Sequence, residues 1–578
     1  MKNYLVLILV IFWSIANFGQ DFQIPKNPSQ DLDLGGNLQN SSIRDSLMNK
    51  FGDSSTKLNK NPDAKIEKYL IISRHNDTIA VDTSLSIEKY YKLNFLRKDN
   101  FDLIPFSNTG VAYNTLTFSE VNSVNPKMGA SNKYYAYDSV DDVVYYDLPT
   151  PFTELMYRSV FEQGQLLDAV YSVNTSRQFN FSISRKGLRS LGNYQNFISS
   201  SSNFKFTTNY FSKSKKYKFR THFANQKLFS EQNGGITDSD ILNFENGNSQ
   251  FLDRGVFDPN FENAHNEFLG KRYYIDQSYI LAKKDSLRNS SLELFNVIYL
   301  EEKKYKFQQN SSDQFFGNSF VSQEINDKIF LNSLNLQAGL IYSSDSFGEI
   351  NLGLHYVDES YFLENYQIDE YIDNSQSINS KTTFITGNYL KKFSKIQLNA
   401  KTENFIFGDN KSNMFDSKIK LKLKNNNSLA LNYKLLSAVP NYNFLLYRSN
   451  YENYNWNNQF ENSITNSISI DLELDKFLDL NVNLISVKNH IQFEKIVNNL
   501  TDSSGFSILP VQHTENLEIL KIRLARKITF GKFSIDSKLL FQKSVSDDII
   551  NLPQIVSRNT VYFSTEMFKK ALFLQTGF

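Results

Sequence analysis

The chain has 578 residues, a formal net charge of +1 and a mean hydropathy of −0.42. With 62 basic against 61 acidic residues it has no cationic excess to neutralise phosphates, so nucleic acid is not an expected partner. Cysteine is absent, which excludes disulfides, thiolate metal sites, iron–sulfur clusters and cysteine nucleophiles. Aromatic residues make up 14% of the chain, yet no stretch after the N-terminus approaches the ~20 apolar residues of a membrane helix. Strands that turn every second side chain toward water hide from hydropathy averaging in this way.

The N-terminus opens with Lys2 and the apolar run Tyr4–Ala16, with Ser14 and Ala16 in a small-x-small cleavage pattern. The run is too short to span a membrane and polar residues follow at once, so residues 1–19 read as a cleaved signal peptide. Residues 20–61 are polar and rich in Asn, Ser, Asp and Gly, the composition of a flexible lead. Asp31 and Asp33 within it lack the closing Glu of a calcium loop. Residues 62–154 read as a periplasmic or luminal segment, for the most part loosely ordered. It carries one small hairpin, Tyr69–Ser73 against Thr78–Asp82 about a turn at His75–Asp77. Asp141 and Asp142 are adjacent, so a strand would turn them to opposite faces; solvated carboxylates are expected there, not an acid/base pair.

From Leu155 to the end the pattern is strand after strand. Ile419, Leu421 and Leu423 alternate with Lys418, Lys420, Lys422 and Lys424; Asn425–Asn427 supply a turn; Leu429, Leu431, Tyr433 and Leu435 resume the alternation. Ile468–Leu474 and Leu478–Leu484 repeat it, as do Leu520–Leu524 and Phe533–Phe541. Short turns are expected near residues 175, 213, 345, 392, 426, 476 and 529. Longer polar stretches fall at 226–270, 310–330, 357–380, 437–457, 491–513 and 544–558. Tight turns alternating with long loops are the signature of an outer-membrane barrel. At roughly 22–26 residues per strand with its share of loop, residues 155–578 hold about 16–19 strands, enough for a water-filled interior. The fold expected is therefore all-β: a large antiparallel transmembrane barrel behind an N-terminal periplasmic extension.

The block Asp138–Leu166 (DSVDDVVYYDLPTPFTELMYRSVFEQGQL) resembles the signature of the large outer-membrane porins of Bacteroidetes-type bacteria. A second block, Tyr90–Leu116 (YYKLNFLRKDNFDLIPFSNTGVAYNTL), and the later SRNTVYFSTEMFKKALFLQTGF extend the resemblance through most of the chain. The resemblance implies an outer-membrane barrel of undefined solute preference. Relatives of this kind continue past ALFLQTG with further strands, so the chain is expected to lack its last ones. The other reading makes Leu572, Leu574, Thr576 and Phe578 a terminal strand recognised for membrane insertion.

No chemistry of catalysis is legible. The six histidines form no H-x-x-x-H or H-E-x-x-H pair, and neither G-x-S-x-G nor a phosphate loop occurs. No enzyme and no cofactor are expected. If the apolar faces meet lipid, the alternating charged residues line the lumen. The candidate pore-lining set is Lys218, Arg220, Lys418, Lys420, Lys422, Lys424, Asp471, Glu473, Lys521 and Arg523. Pairing of the lysines with Asp471 and Glu473 would leave the passage unselective. Tyr210, Phe211, Tyr356, Tyr389 and Phe541 are candidates for interfacial girdles. The expected function is passive diffusion of small hydrophilic solutes through an outer-membrane channel. The alternatives are a non-conducting binding or assembly barrel and a secreted soluble β-rich protein. Partners would be outer-membrane lipid, the barrel-insertion machinery, small solutes and a second copy in a homo-oligomer.

Overall fold

Two rows of side chains cross neighbouring strands and explain the architecture. Ile419, Leu431, Ile470, Val482, Ile522 and Phe541 are direct cross-strand partners in succession. One residue away, Lys418, Asn432, Ser469, Asn483, Lys521 and Gln542 form a parallel polar row. Pleating sends the two rows to opposite faces of the sheet. Ile419, Leu431 and Ile470 remain 45%, 46% and 45% exposed, so the apolar row faces outward, where a water-soluble protein would not leave it. This excludes the soluble β-rich alternative.

The computed structural model describes residues 64–578 apart from 85, 163, 248, 284–288, 365–376, 476–477, 498–505 and 546–548. The signal peptide and the polar lead with Asp31 and Asp33 lie outside the described residues. Nineteen antiparallel strands, from Phe152–Val160 to Leu572–Gly577, follow one another around a barrel. Each consecutive pair is held by a registered ladder, the longest joining Ser290–Gln309 to Ile325–Ser344. The strand order returns Leu572–Gly577 to the side of Phe152–Val160. Nineteen being odd, these two run in the same direction where the barrel closes.

The tight turns fall where polar and β-prone residues place them. Asn425 and Asn426 take φ of 57° and 59°, and Gly348 takes 87°, the left-handed geometry that narrow hairpins need. The long polar stretches are only partly loop. Gln226–Gln232 pairs in register with Ala264–Gly270, and Val357–Glu364 continues a ladder with Lys328–Asn335. Residues 491–513 contain a separate hairpin, His490–Val497 against Phe506–His513. The physical reason is strand length. Ser290–Gln309 and Ile325–Ser344 run for 20 residues each, against roughly 9–11 needed to cross the bilayer. Beyond the membrane both strand faces can be polar, and a polar strand reads as a loop.

The N-terminal segment is not loosely ordered. Leu70–Ile72 pairs with Thr78–Ala80 about Asn76 (φ 66°) and, on its other side, with Tyr145–Asp147, a third strand that sequence reasoning did not anticipate. Between these strands the chain makes contacts with wall strands on every side: Asn108 with Ser190, Lys133 with Ser230, Val121 with Lys434, Glu120 with Asn483 and Tyr91 with Thr560. A segment that touches strands all around a ring lies inside it. The extension is thus an internal plug, ordered by the wall and not by periodic structure of its own.

Because Ile470 sits mid-row on the outward face, Ile470→Arg should destabilise the barrel by roughly 2–4 kcal/mol, whereas Ser469→Arg on the inward face should not. Urea unfolding from lipid vesicles measures both; equal costs would place the bilayer on the wrong face.

Candidate functional site

The plug is anchored through two clusters of unlike character. The first centres on Tyr137 and Asp138. Asp138 Oδ2 accepts from Lys205 Nζ and Asn203 Nδ2, each at 2.7 Å. Its backbone N–H donates to Gln226 Oε1, and its carbonyl accepts from Gln226 Nε2 and Arg272 Nη2, all at 2.8 Å. Tyr137 donates to Glu301 Oε1 at 2.7 Å, and Glu301 also takes Arg272 at 2.9 Å and Lys303 at 2.8 Å. Arg272 is fully buried, so its charge is tolerable only because every face of the guanidinium has a partner. Its Nε donates to His222 Nε2 at 3.1 Å. Since that nitrogen accepts, His222 is the neutral Nδ1–H tautomer and donates to the Tyr145 hydroxyl at 2.8 Å. Gly270 makes room for the plug here: any Cβ at that position would run into the Tyr137 ring.

The second cluster faces the opposite wall and is wetter. Asp99 forms a fork with Arg558, Nη1 to Oδ1 at 2.6 Å and Nη2 to Oδ2 at 3.0 Å, with Lys538 at 3.3 Å. The Arg558 guanidinium lies 3.6 Å from the Tyr91 ring centroid and Lys538 lies 4.7 Å from that of Phe101. Asp102 binds Arg523, and Lys521 donates to the Phe118 carbonyl at 2.9 Å. Gln542 donates to the Leu116 carbonyl at 2.6 Å.

Burial alone would raise both plug carboxyls. Lys205 and Lys186 near Asp138, and the Arg558 fork with Lys538 at Asp99, outweigh it and hold each at about 2, below the usual 3.8. The buried Lys133 ammonium, whose hydrogen-bond partner is Ser230 Oγ at 2.6 Å, is drawn down by desolvation to about 8.

The residues singled out as pore-lining divide three ways. Lys521, Arg523 and Arg220 hold the plug, Arg220 by donating to the carbonyls of Ser73 at 2.8 Å and Arg74 at 3.0 Å while paired with Asp276. Lys418 and Lys420 pair with Asp471 at 3.6 Å and Glu473 at 3.0 Å on the neighbouring wall, and Lys218 meets Glu293 at 3.7 Å. Lys422 and Lys424 are exposed at the hairpin turn. Asp141 and Asp142 lie in a short 3-10 turn, with Asp141 largely exposed and Asp142 partly so. Asp141 binds Arg74 at 2.8 Å and Asp142 binds Lys98 at 2.6 Å.

Sequence reasoning missed Asp99, Asp138, Tyr137, Arg272 and Glu301. One signal was present: residues 134–146 hold five tyrosines without strand periodicity, and such rings bury only where their hydroxyls find partners.

A depressed carboxyl contributes docking energy that is complete above its unfolded value and lost as pH falls through its folded one. Plug anchoring should therefore be intact above about pH 4 and weaken toward about pH 2. Hydrogen exchange, corrected for intrinsic rates, should lose protection at the amides of Phe101 and Asp138 over that interval while the strand ladders keep theirs. Uniform behaviour of plug and wall would refute the assignment.

In overall fold the chain is similar to several solved proteins. It shares 10% identity with the siderophore receptor PirA from Acinetobacter baumannii, over 72% of this chain and 65% of that one (TM-score 0.46). For the copper transporter OprC the identity is 9%, over 73% and 67% (TM-score 0.49). For the alcaligin receptor FauA from Bordetella pertussis it is 11%, over 74% and 67% (TM-score 0.43). The chain thus spans about two thirds of the length of these proteins. No curated protein matches it in sequence. The family model described as "Putative porin" matches residues 65–578, almost everything described above, and the chain belongs to that family.

Proposed function

We propose that this protein moves small solutes across the outer membrane by passive diffusion through a barrel that its own N-terminal segment keeps occluded at rest, the chain being exported behind a cleaved signal peptide. The observation that carries this reading is the ring of plug contacts. Asp99 and Asp138 bind opposite walls through five cationic or amide side chains, namely Arg558, Lys538, Lys205, Asn203 and Gln226. An open porin has no use for such anchors. Movement of the segment would free a passage walled by the candidate pore-lining residues. Lys418 and Lys420 are already matched by Asp471 and Glu473, which supports a passage of weak charge selectivity.

Planar-bilayer recording tests this. The native chain should open rarely, and the double variant Asp99→Asn/Asp138→Asn, which removes one charge from each anchor, should open far more often, with a reversal potential near zero in a salt gradient. Continuous conductance of the native chain at the level of the variant would overturn the gating. A chain that never conducts in either form would favour the binding or assembly barrel instead.

A further inference from the structure

At the outer end of the plug a cavity of about 270 Å³ opens between the plug apex, the wall and two loops. Its floor is Met128–Ala130, where Gly129 and Ala130 both take positive φ, 116° and 55°, to turn the chain sharply. A Cβ on Gly129 would collide with Asn443, so apex and loop are in close contact. They are also laced together: Tyr442 N donates to the Lys127 carbonyl and Lys127 N to Asn441 Oδ1, both at 2.9 Å.

The loop side is built around an aromatic platform. Tyr447 and Trp456 are partners in a two-residue ladder, and their rings stack at 5.0 Å and 24°. Phe493 from the neighbouring hairpin stands edge-on to Trp456 at 5.8 Å and 60°. The platform is fixed before any ligand arrives. Trp456 Nε1 donates to the Asn443 carbonyl at 3.0 Å, and the Tyr361 hydroxyl donates to the Leu446 carbonyl at 3.0 Å. Tyr442 donates to Glu359 at 2.8 Å and Ser449 to Asp327 at 2.5 Å, pinning the loop to the wall.

Among the described residues the lining carries no Asp, Glu, Lys, Arg or His. Its polar side chains are Tyr305, Tyr447, Tyr454, Trp456 and Asn443, all neutral. A preformed concave site with aromatic walls and a few neutral polar groups suits one kind of ligand. We infer that this cavity binds an uncharged, hydroxyl-bearing ring, packed against the Tyr447–Trp456 pair, and that the bound ring touches the plug through Met128. The inference deepens the transport reading by naming a solute class, and it places recognition on the element that closes the passage. Sugars and phenols share this chemistry.

The chain has two tryptophans, Trp13 and Trp456. In the full chain carrying Trp13→Phe, indole emission therefore comes from the cavity alone. Saturable change on adding maltose or phenol is expected, with maltose identifying a sugar site and phenol an aromatic one. Glucuronate and benzoate, the charged counterparts, should bind at least tenfold more weakly, because the lining offers them no counter-charge. Tyr447→Ala should weaken binding by roughly tenfold, and Tyr447→Phe, which keeps the ring, should recover most of it. No response to either neutral ring, equal response to the charged ones, or indifference to Tyr447→Ala would overturn the inference. Binding is read here without transport, so a chain that binds but never conducts would sink the gating proposal and leave this one standing.

Discussion

The whole molecule depends on one constraint: in hydrocarbon, each backbone N–H and C=O must find its partner within the protein. Registered antiparallel ladders meet that demand, and register forces side chains into rows of alternating outlook. The row through Leu431 and Ile470 meets lipid, so the row through Asn432 and Ser469 is turned inward whatever its chemistry. A wall built this way has a polar interior by necessity, and that interior must be hydrated or filled. Here it is largely filled. Asn483 takes Glu120, Gln542 takes Leu116 and Phe118, and Lys521 takes Phe118, all from the polar row and all into the plug.

The plug is therefore not a second domain with its own core. Its strands are short and its buried side chains are shared with the wall, as where Tyr137 lies among Phe268, Leu228 and Ile329. The two anchors differ in how water reaches them. Around Arg272 and Glu301 the charges are buried at 0% and 10% side-chain exposure, where loss of one partner strands the other at a cost of several kcal/mol. Asp99 keeps 31% of its side chain exposed, so its ion pairs are screened and each contributes less. The outer mouth adds a third link, in which the Tyr442–Leu446 loop rests on the apex at Lys127–Gly129. Recognition at the mouth and occlusion below it thus share one covalent segment.

Much of the wall was legible beforehand. Period-two alternation at 417–435 and 468–484, with turns at Asn425–Asn427 and near Gly531, is a local property and survives any tertiary context. Loop lengths were not, because Gln226–Gln232 and Ala264–Gly270 mix polar and apolar residues without alternation, so composition does not distinguish strand from loop there. The site was least legible. Lys521 and Arg523 were picked out as facing the lumen, but what they hold was invisible, and the tyrosines and carboxylates of residues 91–145 follow no period at all.

By itself the sequence determined the strand faces, the tight turns and the absence of thiol chemistry, since each is a property of composition or of neighbours a few positions apart. Only the tertiary structure decided that the N-terminal segment lies within the ring, and which lysines anchor it and which pair along the wall. Those contacts join residues as far apart as Asp99 and Arg558, 459 positions along the chain. Nothing in local spacing encodes such a meeting; it exists only once the strands have gone round and the polar rows have come to face one another.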